Sequence, residues 1–230
     1  MKFLQNIIKT IKFIFYNKLN KTKVISLGKI VKFSKVNLLE IIDRAGGLTI
    51  QELVSILGIC SINPNGNFLE IGSFRGRTAL NIIYNFPSMN LFTFDLPDID
   101  EKDSNLKYEL IESDKVQAFQ KNKDELRENY NNFFQKIRSL KGDSANYDFS
   151  DYHNFFNFIL VDGSHKYENV VIDSENAIKM IKKNGFIFWH DYSKDHLDVV
   201  KAINLIKKKY SIDIKRLKHT KFAFALINKN

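Results

Sequence analysis

Along the chain, apolar runs of five to seven residues alternate with stretches whose apolar positions recur every three or four residues. Strand-like runs lie at 67–71, 90–95, 136–140, 155–161, 185–190, 212–218 and 222–227. Helical periodicity covers 76–85, about 105–133 in broken form, 167–183 and 195–209. Strands that alternate with helices predict a mostly parallel sheet with helices on both faces. Only Lys218 to Lys221 separate the last two strands, and so short a link permits only an antiparallel hairpin. The expected architecture is an α/β fold with a seven-stranded sheet, parallel except for one strand near its edge.

Before residue 64 the pattern changes. Phe3, Leu4, Ile7, Ile8, Ile11, Ile14 and Phe15 recur at helical spacing. Lys2, Gln5, Asn6, Lys9 and Lys12 fill the opposite face, with Phe13 as its one apolar exception. Asn37-x-x-Glu40 and Thr49-x-x-Glu52 read as capping boxes of two short helices, which Gly46-Gly47 and Gly58 would end. The turn cluster Asn63-Pro64-Asn65-Gly66 marks the start of the main domain. The chain thus divides into a basic arm (1–36), a helical extension (37–63) and an α/β body (64–230).

Charge sharpens this division. The net charge is +9, from 35 basic and 26 acidic residues. Residues 1–36 hold nine lysines and no acid, which leaves 26 of each sign in the rest. A nucleic-acid enzyme would more often be basic around its cleft, so no nucleic-acid partner is expected. The arm suits a peripheral seat on anionic lipid at the inner face of a membrane. Packing of the arm on its own domain, or on a second subunit of a homo-oligomer, is the preferred expectation. Lysines interrupt its apolar part and no small-residue cleavage site follows, unlike a signal peptide. No apolar run reaches the roughly 18 residues a membrane span needs. The single cysteine, Cys60, excludes an internal disulfide and fits a reducing, cytoplasmic compartment.

Candidate chemistry sits at the strand ends. In Phe68-Leu69-Glu70-Ile71-Gly72-Ser73-Phe74-Arg75-Gly76-Arg77-Thr78, Gly72 allows a tight turn close to a ligand, and Gly76 lets the helix start near the strand. Phe74 and Arg77 stand where a dinucleotide loop needs its second and third glycines, and no Gly-Lys-Ser/Thr follows. A cofactor without phosphates is favoured. Asp95 ends the second strand, where an acid suits the two hydroxyls of a ribose; it could also be a turn former before Pro97. Glu70 lies in an apolar strand end, where a charge needs a partner such as an amino-acid ammonium group. Lys141-Gly142-Asp143-Ser144 follows the third strand, where it could reach an adenine or be a simple turn. Arg75 could meet a carboxylate, a phosphate or a surface acid.

Two later strands end in acid and imidazole. Phe158 to Val161 runs into Asp162-Gly163-Ser164-His165, and Gly185 to Trp189 into His190-Asp191-Tyr192. If these strands are neighbours, Asp162, His165, His190 and Asp191 share one site, enough for a metal, a proton transfer or both. His153, His196 and His219 fall outside the cluster and read as surface or packing residues. Glu168 and Asp173 lie early in the following helix and complement its dipole. The long, charged segment 96–132 is expected to form a lid or acceptor wall.

Together, Glu70-x-Gly72-x-x-x-Gly76, Asp95 and Gly142-Asp143-Ser144 resemble the S-adenosylmethionine site of class I methyltransferases, which implies a Rossmann-like fold. Leu-Glu-Ile-Gly-Ser-Phe-Arg-Gly-Arg-Thr, Val-Asp-Gly-Ser-His-x-Tyr-Glu and Trp-His-Asp-Tyr resemble a small bacterial branch, distantly similar to macrolide-sugar O-methyltransferases. The resemblance spans roughly residues 66 to 227. It implies that Glu70 and Gly72 hold the methionine end, with Ser73 and Gly76 completing the loop. Asp95 would hold the ribose, and Asp143 and Ser144 would border the adenine. It also implies Asp162, His190 and Asp191 as ligands of a divalent metal, and His165, with Asp162, as the catalytic residues, His165 being the base. His190 replaces the first acid of the family's acidic pair. Hard magnesium prefers oxygen, so manganese or iron would also be accepted, or no metal bound.

The expected activity is O-methylation of a small hydroxylated acceptor, a sugar or glycan first. Alternatives are N-methylation of a sugar amine and a nucleoside-binding module without turnover. A nucleic-acid methyltransferase would favour an Asn-Pro-Pro-Tyr-type motif where this chain has Asp162-Gly163-Ser164-His165.

Overall fold

A computed structural model describes residues 2–19, 22–31, 35–40, 47–97, 105–118 and 125–228. Eight strands form one sheet: β1 (Val24–Ile25), β2 (Asn67–Ile71), β3 (Asn90–Asp95), β4 (Arg138–Lys141), β5 (Phe156–Val161), β6 (Ile181–Trp189), β7 (Lys215–Leu217) and β8 (Ala223–Ile227). Their order is β1-β7-β8-β6-β5-β2-β3-β4. Strand β8 alone is reversed, antiparallel to β6 and β7, as the short link after Leu217 requires.

The chain winds outward from β2 through β3 to β4, then returns to place β5 on the other side of β2. The β2/β5 boundary is therefore the switch point, where open α/β sheets bind ligands beyond the strand carboxyl ends.

The central strands are buried on both faces, so alternate side chains enter different cores. Leu69, Ile71, Phe92, Ile159, Ile187 and Trp189 share one core with α7 (Tyr167–Met180) and α8 (Leu197–Lys209). Phe68, Leu91, Phe158, Leu160 and Phe188 share the other with α2 (Ile50–Cys60) and α3 (Arg77–Asn85). The segment between β3 and β4 carries α4 (Glu112–Ala118), α5 (Glu125–Asn129) and α6 (Asn131–Phe134).

Several expectations change. The sheet has eight strands rather than seven, because Val24 and Ile25 of the arm pair in parallel with Arg216 and Leu217. Two residues are too few to show a period. Helix α2 runs through Gly58 to Cys60, since packing fixes that turn despite the glycine. The Thr49–Glu52 capping box is present. Asn37 instead exchanges hydrogen bonds with the Asn85 side chain, giving its N–H and accepting at its carbonyl; residues 41–46, where its helix was expected, lie outside the described residues. Strand β6 begins at Ile181, so the preceding helix ends at Met180 rather than 183.

The arm's first element, α1 (Lys2–Leu19), packs on α8, and the edge it presents is not the apolar stripe. Phe13, the exception on the polar face, lies 6.0 Å from the Tyr192 ring, with the Arg216 guanidinium 4.7 Å from its own ring centre.

Candidate active site

A cavity of about 410 Å³ opens over the switch point, in the usual range for a small-ligand site. Its floor is the loop from β2 to α3. Gly72 has φ 83°, and a Cβ there would stand 2.3 Å from the Asp162 carbonyl oxygen. Only glycine lets the ends of β2 and β5 approach this closely. Phe74 also takes a positive φ, 48°. At Gly76 a Cβ would meet the Phe134 ring at 2.6 Å, so the glycine makes room for α6 as well as starting α3.

Glu70 lines this cavity and is 2% exposed. Its Oε2 has no hydrogen-bond partner among the described residues. Burial, with Asp162 and Asp95 nearby, pushes its carboxyl well above the ordinary range, although Thr78 hydrogen-bonds it. A buried acid with an unpartnered oxygen in the wall of a cavity suits a cationic ligand group.

Asp95 and Asp143 border the cavity but use their oxygens locally. Asp95 accepts the Phe74 N–H at 2.9 Å and the Leu96 N–H at 2.9 Å, with the Ser73 hydroxyl at 3.3 Å. It braces the loop at the border of the cavity. Asp143 accepts the N–H groups of Lys107 and Ala145 and the side-chain amide of Asn146. Ser144 lines the cavity and gives a hydrogen bond to Asp173.

Asp173 corrects an expectation. It lies in the second turn of α7, 3% exposed, on the cavity wall, and does not offer its charge to the helix end. Burial pushes its carboxyl up to about 7, against the Ser144 hydrogen bond, and Oδ1 has no hydrogen-bond partner among the described residues. Helix spacing alone did not show that this face turns toward the β4 loop.

At the other end of the cavity the acid and imidazole groups converge as expected, with Glu52, Asp114, His196 and Lys221 added. His165 lies between two carboxylates. Nδ1 is 2.6 Å from Asp114 Oδ1 and Nε2 is 2.8 Å from Asp191 Oδ2. Burial would lower its pKa, but these two partners raise it to about 10. His165 is therefore an imidazolium near neutral pH. Asp114 comes from α4, inside the segment expected to form the acceptor wall. Asp191 takes a positive φ of 52°, and its imidazole neighbours hold its carboxyl well below the ordinary range, against burial.

His190 is 8% exposed and also faces carboxylates on both sides. Nδ1 is 2.9 Å from Asp162 Oδ1 and 3.1 Å from Asp191 Oδ2. Nε2 lies 3.3 Å from Glu52 Oε2, without the alignment of a hydrogen bond. Burial opposes its charge, but Asp162 and the other two acids raise its pKa well above the ordinary value. Glu52 serves twice. As the α2 capping residue it accepts the Thr49 N–H at 2.9 Å, and it also accepts the Lys221 N–H at 2.7 Å. Burial raises the Glu52 carboxyl, yet His190 and these donors bring it down to about 2.

His196 is the second correction. It lies within the cluster rather than outside it, lining the cavity with its ring stacked 4.2 Å from that of His165. Its Nε2 lies 3.6 Å from Asp191 Oδ1. Burial lowers its pKa, and charged His165 and Lys221 lower it further against Asp191, so His196 is the neutral imidazole of the group. His153 and His219 are exposed, as expected.

Asp162, His190 and Asp191 offer ligand atoms within 4.8 Å of one another. Glu52 lies behind His190 as a nearby carboxylate, at 3.3 Å and without a hydrogen bond. A divalent ion would take the place of the proton on His190 Nδ1. The donor set fits such an ion in that form.

A methyltransferase-domain family model matches residues 69–192, more than half of the chain. No curated protein matches it. The fold is similar to that of the O-methyltransferase NovP, at 16% identity and TM-score 0.58, covering 79% of this chain and 81% of that one. It is similar to TomG of Streptomyces achromogenes, an O-methyltransferase of tomaymycin synthesis solved with S-adenosylmethionine: 10% identity, TM-score 0.54, 80% and 82% covered. An O-methyltransferase of Bacillus cereus solved with S-adenosylhomocysteine gives 14% identity, TM-score 0.54, 81% and 84% covered.

Proposed function

Since the chain belongs to this methyltransferase-domain family, we propose that it binds S-adenosylmethionine over the switch point and transfers the methyl group to an oxygen of a small hydroxylated acceptor. The observation that carries the reading is the buried Glu70 carboxyl in the cavity wall, unpartnered at Oε2 and two residues before the Gly72 turn. An ammonium group of the methionine end would complete it. Gly72, Ser73 and Gly76 shape the loop against which that end lies. Asp95 faces the ribose, and Asp143 and Ser144 edge the adenine, with Asp173 behind Ser144.

Methyl transfer from a sulfonium is an in-line displacement in which the acceptor hydroxyl loses a proton. The groups for this lie at the Asp162–His165 end. His165 serves as base only after it gives up one of its two ring protons, one facing Asp114 and the other Asp191. His196 is neutral and stacked on it, which favours His196 as the group that takes the proton. His165 then holds positive charge beside the developing alkoxide. Asp162, His190 and Asp191 would hold a divalent ion, whose chemistry would be to acidify the acceptor hydroxyl. Manganese or iron suits the mixed nitrogen and oxygen donors as well as magnesium does. A sugar or glycan is the acceptor class favoured by hydroxyl chemistry next to so many carboxylates.

Calorimetric titration with S-adenosylmethionine and S-adenosylhomocysteine tests the cofactor. Micromolar binding to both, weakened in Glu70→Gln, supports it; binding of neither overturns it. Turnover against a panel of nucleotide sugars and glycans, followed as S-adenosylhomocysteine release, tests the acceptor.

A further inference from the structure

We propose that α1 seats the protein on an anionic lipid bilayer through the face formed by Ile7, Ile8, Ile11 and Ile14. An amphipathic helix in a globular protein ordinarily turns its apolar stripe toward the core. Here the stripe points away, at 38%, 45%, 60% and 59% exposure for these four residues. Among the described side chains of α1, only Thr10, Phe13 and Asn17 are half-buried. They form the edge that meets the body, with Phe13 against Tyr192 and Arg216. Phe13 thus pins the helix in an orientation that leaves four isoleucines in water. A contiguous apolar face of this kind marks an interaction surface.

Charge identifies the occupant. Lys9, Lys12 and Lys18 are exposed on the same helix, and Lys23 and Lys29 follow. Residues 1–36 contain nine lysines and no acid. A second copy docking by this face would bring two such arms together, and like charges oppose that association. An anionic bilayer satisfies both halves of the surface: isoleucines enter the headgroup boundary and lysines meet phosphates. Among the described residues no helix is long and apolar enough to cross a membrane, so the helix lies in the surface plane. Tyr192 follows Asp191 directly, so the pinned edge adjoins the strand end that carries the acidic site. The proposal stands independently of the reaction assigned to that site.

The test is flotation of the full-length protein with vesicles of phosphatidylcholine, alone or mixed with phosphatidylglycerol. The wild type should float with the anionic vesicles and roughly tenfold less with the neutral ones. Ile11→Glu with Ile14→Glu should reduce flotation by roughly tenfold or more while leaving the melting temperature unchanged, because both side chains are already in water. Lys9→Glu with Lys12→Glu should weaken binding to anionic vesicles only. Failure of the wild type to float, or equal flotation of the isoleucine variant, overturns the proposal. So does a dimer in solution that the isoleucine variant dissociates, which would assign the face to a second copy.

Discussion

Asp114 and His165, which lie 51 residues apart in sequence, are bound to each other twice. One carboxylate oxygen is 2.6 Å from the ring Nδ1, and the other accepts the His165 backbone N–H at 2.7 Å. The Ser164 hydroxyl adds a third bond to the same carboxylate. A short helix from the longest crossover thus fixes the orientation of an imidazole on the loop after β5.

The pH behaviour of His165 follows. Its folded pKa of about 10 lies above its ordinary value, so it contributes stability that is fully present below about pH 6.5 and is lost as pH rises through about 10. The melting-temperature gap between wild type and His165→Gln should narrow from pH 7 to pH 10. Ring nitrogen shifts in NMR should show His165 still protonated at pH 8. A titration near pH 6.5 would remove the clamp as described.

The two imidazoles should separate kinetically. His196→Gln should lower kcat by roughly 100-fold or more with cofactor affinity nearly unchanged, the usual scale for a lost acid–base group. His165→Ala should also lower kcat, and it should in addition disturb the melting temperature, since it takes the ring partner from Asp114 and one of the cationic partners from Asp191. If His196→Gln turns over normally and only His165→Ala is dead, the base is His165.

Glu70→Gln should weaken S-adenosylmethionine by roughly 10–100-fold, the range for losing a charge-assisted bond. The same change should raise the melting temperature of the ligand-free protein, because it removes an acid whose ionisation burial opposes. Calorimetry and thermal melts measure the two effects separately. Unchanged affinity would displace Glu70 from the cofactor.

A divalent ion at Asp162, His190 and Asp191 must displace a proton from His190. Manganese affinity of metal-free protein should therefore rise with pH, by roughly tenfold per unit for one displaced proton, and Asp162→Asn should abolish it. Affinity that is flat from pH 6 to pH 8 would place the ion elsewhere.

The sheet was largely legible because its strands are long apolar runs bounded by glycine, proline and acid. The cluster of Asp162, His165, His190 and Asp191 was legible because adjacent parallel strands end at one edge. Glu52 was read as a helix cap, and it is one; its second task depends on Lys221 and His190, which no local pattern joins to it. Asp114 and His196 joined the site through tertiary packing of a crossover helix and of the residue before α8. Phe13 looked like a flaw in an amphipathic pattern, yet it decides which edge of α1 is covered. Hydrophobic periodicity gives the faces of a helix and leaves open which of them the body needs.

The pairing of β1 with β7 has a consequence for synthesis. Val24 pairs with Arg216, so the arm's strand finds its sheet partner only after the α/β body between them has been made. Until then the arm has no strand to join, and α1 has neither Tyr192 nor Arg216 to pack against. Its isoleucines and lysines are on offer before the catalytic body exists. The arm is therefore free to find a surface during translation, and the sheet edge can close only after β7 has been made.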